Sequence, residues 1–325
     1  MSVDFIGMIQ SRKQSEIHPA AGAAVDRDYV RAFARAHEQA GFDRILVPHH
    51  STGPSATLTV SYAAAVTERI HFMLAHRPGF TAPTLAARQI ATLDQFSGGR
   101  LGVHFISGGS DDEQQRDGDY LGHDERYART DEYLGILRRI WTEDRPFDHE
   151  GRYYRFRQGF SEVKPAQAPH VPVYFGGASE AAIAVAGKHA DVYALWGESL
   201  EQVRELTTRV RQAAAQHGRT VRFSVSLRPV LAATEAKAWA RATAFSNAPA
   251  RCARNWARAA AARCRAKARA ACWRPPSGAT VSTSACGPRS RGRPAAAPTP
   301  PAWSARPNRW PRRCWPTTTS ASPPS

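Results

Sequence analysis

Four groups of residues have types and spacings suited to chemistry. Gly176-Gly177-Ala178-Ser179 follows the apolar run Val171 to Phe175 and opens a helical pattern. Backbone amides at a helix N-terminus, with a Ser hydroxyl beside them, can cradle a phosphate; taken alone, a Gly-Gly pair is as readily an ordinary turn. His123 and Tyr127 stand four apart at the start of another helical stretch. They therefore share one face near a second N-terminus that favours anions. Arg77 and Arg228 lie at strand ends and suit an oxyanion such as a sulfonate, which a guanidinium binds through two parallel hydrogen bonds. The bland reading of Arg77 is a structural ion pair. His49 and His50 end a further run and are candidate proton carriers, although paired loop histidines are more often merely solvated. No metal site is expected, because His71 and His76 are an odd number of residues apart on one strand and face opposite ways.

These groups hang on a regular alternation. Short apolar runs at Val3 to Ile9, Arg44 to Pro48, Ile70 to Ala75, Leu101 to Ile106, Val171 to Phe175, Asp191 to Leu195 and Arg222 to Leu227 read as seven strands. Helices are expected between them, at Asp26 to Ala40, Ser55 to Thr67, Pro83 to Phe96 and Glu125 to Thr142, with a hairpin around Gly151. Gly41 ends the first helix. The Gly/Asp-rich stretch Ser107 to Asp124 reads as a long loop of the kind that often covers an active site. Repeated βα units predict an α/β fold with a parallel sheet. No GxGxxG follows a first strand, which favours an eight-stranded (β/α) barrel over an open dinucleotide-binding sheet. Seven strands leave that barrel one unit short.

The stretch Arg77 to Leu101 (RPGFTAPTLAARQIATLDQFSGGRL) closely resembles the segment after the third strand of the luciferase-like flavin monooxygenases, the alkanesulfonate monooxygenases among them. Three more blocks follow in order: His123 to Tyr127 (HDERY), Val173 to Ser179 (VYFGGAS) and Tyr193 to Glu198 (YALWGE). The resemblance covers nearly all of Met1 to Phe245. It implies a TIM barrel that binds reduced FMN from a separate NAD(P)H-dependent flavin reductase. It also implies oxygenation of a small organosulfur compound by molecular oxygen through a C4a-peroxyflavin, an alkanesulfonate yielding an aldehyde and sulfite. The flavin contacts would be Ser107, His123, Tyr127, Gly177, Ala178 and Ser179. Trp196, Arg228 and His49 would carry catalytic roles and Arg77 would bind substrate. The family also implies a homo-oligomer. Where the alkanesulfonate enzymes have Arg and then His in the seventh strand, this chain has Ser226 and Arg228, and Gly53 replaces a Cys near the second strand. Those departures leave a sulfone or another organosulfur compound open.

Composition changes abruptly after Phe245. Residues 246–325 hold 15 of the 44 Lys and Arg and none of the 28 Asp and Glu, so the net charge of +16 belongs almost wholly to them. All five Cys lie there as well, in no zinc-ligand pattern. The rest is nearly neutral and Cys-free, as expected of a protein made in a reducing compartment. With no signal-peptide start and no apolar run of membrane-spanning length, a cytoplasmic protein with no membrane partner is expected. Two regions follow: a barrel, 1–245, and an Arg/Ala/Pro-rich tail, 246–325, with too few aliphatic side chains to order itself. Reading the tail one base earlier permits other peptides: an amphipathic helix from Ala244 to Trp256, Gly-Thr-Pro-Glu-Gln-Val-Ala from Ser304 to Pro311, and a strand-like His-Tyr-Asp-Leu-Gly-Val-Thr-Thr-Phe from Thr317 to Ser325. These resemble the family's late helix, helix start and eighth strand, so the tail is expected to be frameshifted. The alternative is a genuine basic tail that binds nucleic acid by charge.

Overall fold

In the computed structural model, residues 3–14, 20, 22–227 and 229–244 are described. The tail, and with it the expectations about its disorder and reading frame, lies outside them, as does Arg228. The chain runs β1 (Ile6–Met8), α1 (Arg27–Gln39), β2 (Arg44–Val47), α2 (Ala56–Ala65), β3 (His71–His76), α3 (Pro83–Phe96) and β4 (Leu101–Phe105). There follow α4 (Asp111–Arg116), α5 (His123–Thr142), a hairpin of β5 (Phe147–Glu150) and β6 (Arg155–Gly159), β7 (Val173–Gly176), α6 (Glu180–His189), β8 (Val192–Leu195), α7 (Leu200–Ala215) and β9 (Arg222–Val225).

Seven strands form one parallel sheet in the order β1-β2-β3-β4-β7-β8-β9, and the hairpin stands apart. Chain order and sheet order agree, as in a (β/α)8 barrel truncated after its seventh strand. Alternation along each strand splits the side chains between two layers. Ile45, Val47, Phe72, Leu74, Val103, Phe105, Val173 and Phe175 join the helices in the main core. Met73, Tyr174 and Val192, with Ile6 and Leu46, make a smaller cluster on the inner face. Among the described residues β1 and β9 end the sheet with one neighbour each, and Phe5, Met8, Val225 and Leu227 beside them are 48–69% exposed.

Local signals explain the helices. Asp26 caps α1 by accepting from the Tyr29 amide at 2.9 Å, and Gly41, at φ +81°, ends it in a conformation costly for any side chain. Pro83 opens α3 where its missing N–H is not needed. Away from the strands' carboxyl ends, Arg100 donates to the carbonyls of Ala64, Thr67, Ile70 and Ser97, tying α2, β3 and α3 together. Fully buried Asp94 accepts from the amides of Ala166 and Gln167 at 2.8 and 3.1 Å and holds the segment before β7 to α3.

Two expectations need correction. Ser107 to Asp124 is not all loop, since α4 interrupts it. β1 is three residues rather than the seven from Val3 to Ile9, because an edge strand with one partner has fewer ladder bonds to extend it. His76 and His104 supply a stability test. Burial lowers each to a pKa of about 4, while the unfolded chain titrates near 6.5. The stability they contribute is present above about pH 6.5 and is lost as pH falls toward 4, where the unfolded state binds the extra protons. The melting temperature is expected to fall between pH 7 and 5, by the equivalent of about 2 kcal/mol per histidine. His104→Gln should flatten that slope, as thermal melts across the range will show.

Candidate active site

The parallel strands present their carboxyl ends on one side, the side on which barrels of this class place their chemistry. After β7 the chain turns through Gly176 and Gly177 into α6, and neither glycine can be replaced freely. A Cβ on Gly176 would lie 2.7 Å from the Ala194 carbonyl oxygen. One on Gly177, at φ +122°, would lie 2.8 Å from Tyr127 Oη. Ser179 caps α6, its Oγ accepting from the Ala182 amide at 3.2 Å, with the Tyr127 hydroxyl close by. Burial raises the Tyr127 pKa, against which Ser179 pulls back. Tyr193 donates to the Gly177 carbonyl. The ring of His123 lies 4.9 Å from that of Tyr127, and His123 Nδ1 is 2.7 Å from Asp124 Oδ1. His123, Tyr127, Gly177, Ala178 and Ser179, predicted from separate blocks, therefore meet where the N-termini of α5 and α6 converge.

Ser107 is buried at the end of β4, 2.9 Å from Thr130 Oγ1. Thr130 spends its own proton on the Arg126 carbonyl at 2.8 Å. Ser107 thus donates to Thr130 and keeps only acceptor capacity for a ligand. Trp196, one residue past β8, is 65% exposed, so it is no core residue.

Arg77 is nearly fully buried and already engaged: its Nη2 is 3.0 Å from Glu113 Oε1 and its Nη1 is 3.4 Å from Asp117 Oδ2. Glu113 also accepts from the Ser51 amide at 3.1 Å. Burial alone would push the Glu113 carboxyl up, but the Ser51 amide and Arg77 outweigh it and hold it below the usual range. Substrate binding by Arg77 therefore requires a carboxylate to give way. His49 is lowered by burial and then by the Arg77 charge, which keeps its imidazole neutral, with an enclosed Nε2 that has no partner. His50 Nδ1 faces Glu113 at 3.8 Å. Among the described residues no cluster of three His, Cys, Asp or Glu could hold a metal ion, and no helix is long and apolar enough to cross a membrane.

These residues fit an FMN. The glycine cradle admits a group where side chains are excluded, and helix amides favour its phosphate. Buried polar atoms around the strand ends, His49 Nε2, Ser51 Oγ and Glu198 Oε2, have no partner among the described residues. Sequence reasoning missed Glu113 and Gln114, both on α4, because a six-residue helix carries no apolar period to reveal it.

Comparison with known proteins agrees with this fold. The sequence pattern of the luciferase-like monooxygenases matches residues 3–286, running past the composition break at Phe245. Among solved structures, monooxygenase RslO1 from Streptomyces bottropensis is 25% identical, with a TM-score of 0.63 over 76% of this chain and 78% of that one. DmoA from Hyphomicrobium sulfonivorans is 23% identical, with a TM-score of 0.64 over 76% and 64%. A riboflavin lyase, RcaE, solved with modified FMN and riboflavin, is 18% identical, with a TM-score of 0.65 over 74% and 65%. The chain thus spans just under two thirds of the length of the last two, whose likeness speaks for the fold alone. With the family pattern across most of its length and the strand order of a barrel one unit short, the chain belongs to the luciferase-like monooxygenase family.

Proposed function

We propose that this protein is the oxygenating component of a two-component flavin-dependent monooxygenase. It receives reduced FMN from an NAD(P)H-dependent flavin reductase and oxygenates a small organosulfur compound, an alkanesulfonate being the foremost candidate. The observation that carries the flavin reading is the meeting of Tyr127, Gly177 and Ser179 at the N-terminus of α6, which suits a phosphate. The nucleic-acid alternative rests wholly on residues outside the described part.

When bound, the flavin supplies the electrons that activate oxygen. With an alkanesulfonate, one oxygen atom leaves in the aldehyde and the other in water, while carbon–sulfur cleavage releases sulfite and the flavin leaves oxidised. The protein's share is binding and positioning. The α6 amides, Ser179 and His123 hold the phosphate, while Ser107 accepts from a ring N–H. His49, kept neutral by burial and with no partner for Nε2 among the described residues, would hold or pass a proton at the mouth. Arg77 would take the sulfonate once Glu113 or Asp117 yields it. The frameshift reading of residues 246–325 is proposed together with this function, and resequencing the codons for Ala242 to Phe245 tests it.

With a flavin reductase, NAD(P)H and oxygen, the frame-restored protein is expected to release sulfite from at least one alkanesulfonate. A panel of sulfonates and sulfones yielding no sulfite or sulfinate above a flavin-only control removes the organosulfur assignment.

A further inference from the structure

The segment after β4 contains a polar group that nothing among the described residues satisfies. Gln114 is 0% exposed, and neither its Nε2 nor its Oε1 has a hydrogen-bond partner among the described residues. Leaving a buried amide unpaired is costly, and native proteins do so rarely. The position is nevertheless well built. Gly108, at φ +95°, lies directly beneath the amide: a Cβ there would be 2.1 Å from Nε2 and 2.8 Å from Oε1. The Gln114 main chain is held on both sides, its carbonyl accepting from the amides of Asp117 and Asp119 at 3.0 Å each. The neighbouring Glu113 anchors α4 to Ser51 and Arg77.

A short path leads from this amide to the phosphate cradle. Gly108 follows Ser107, whose hydroxyl meets Thr130 on α5. Thr130 lies three residues beyond Tyr127, about 4.5 Å along the helix axis, and Tyr127 Oη lies against Gly177. A carboxamide presents one donor and one acceptor side by side. Its complement is a ring edge carrying N–H next to C=O, which the pyrimidine end of a flavin supplies at N3 and its flanking carbonyls.

We propose that Gln114 is a cofactor-binding residue that pairs through Nε2 and Oε1 with the N3–H and an adjacent carbonyl of the flavin ring. This rests on the flavin reading above. Donor and acceptor are then both met on binding, and α4 serves as the platform that holds the amide in place.

The test compares reduced FMN with its N3-methyl derivative, which lacks the N–H. Each is titrated anaerobically by tryptophan quenching into the full chain and into the frame-restored chain. Binding of FMN at least about tenfold tighter than of the methylated flavin is expected. Gln114→Leu should bind both flavins alike, while inorganic phosphate competes with FMN as well as before. Gln114→Glu, which keeps an acceptor and loses the donor, should fall between, and serves where the Leu variant does not fold. Equal affinity of the unsubstituted protein for both flavins, or a Leu variant that still discriminates fully, overturns the assignment of Gln114 and leaves the flavin reading standing. Absence of FMN binding by both chains overturns the flavin reading and this inference with it.

Discussion

Restoring the reading frame near the codons for Ala242 to Phe245 is expected to raise soluble yield several-fold and to turn a broad or absent thermal transition into a cooperative one. Closing a barrel removes exposed strand edges, and among the described residues β1 and β9 have none of the pairing that closure would give them. Phe5, Met8, Val225 and Leu227 lie beside those edges and are exposed. Apolar surface left in water forgoes roughly 25 cal/mol per Å². A few hundred Å² therefore weighs heavily against a domain stability on the order of 5–15 kcal/mol. The segment Thr317 to Ser325 contains Pro323 and Pro324, which lack the amide donors a central strand needs. Parallel expression, calorimetric melting and FMN titration of the two forms provide the check. Equal melting and equal FMN affinity would refute both the requirement for closure and the frameshift.

Ser179→Asp should weaken FMN binding in the frame-restored protein by at least about tenfold while leaving its melting temperature nearly unchanged. Asp caps helices as well as Ser does, so α6 keeps its start. The new carboxylate would lie where a phosphate dianion is expected. Like charges about 4–5 Å apart in a partly buried site repel by roughly 3–4 kcal/mol per pair of unit charges. Ser179→Asn separates the effects, because it caps without adding charge and should bind FMN nearly as the unsubstituted protein does. Fluorescence titration with unchanged affinity in the Asp variant would show that the phosphate lies elsewhere.

How much of this was legible in the sequence differs from element to element. α3 spans Pro83–Phe96 as the sequence predicts, because Pro83 marks its first turn and Gly98-Gly99 follow its end. β3 lies one residue later than expected, at His71–His76: burial of the ring against Tyr133 and Phe105 keeps His76 in the strand, which hydropathy alone does not anticipate. α4 is invisible to periodicity, since only Gln114 on it is buried. The glycine turn into α6 and its Ser179 cap were readable because glycine positions and a capping Ser are local requirements. The grip of Glu113 and Asp117 on Arg77 was not. Those carboxylates lie some forty residues from their partner, and no local pattern encodes a pairing across that distance.

The agreement of sheet order with chain order also has a meaning for synthesis. A ribosome delivering this chain releases each strand when its neighbour has already emerged, so six registers can be set one after another without waiting for distant sequence. β7 alone is delayed, by the long excursion through α4, α5 and the hairpin. Only the pairing of β1 with a final strand spans the whole barrel. Until a closing strand pairs with it, β1, the first made, would stay available to chaperones and to the edges of other nascent chains. A change that removed the closing strand would therefore be felt at the residues translated first.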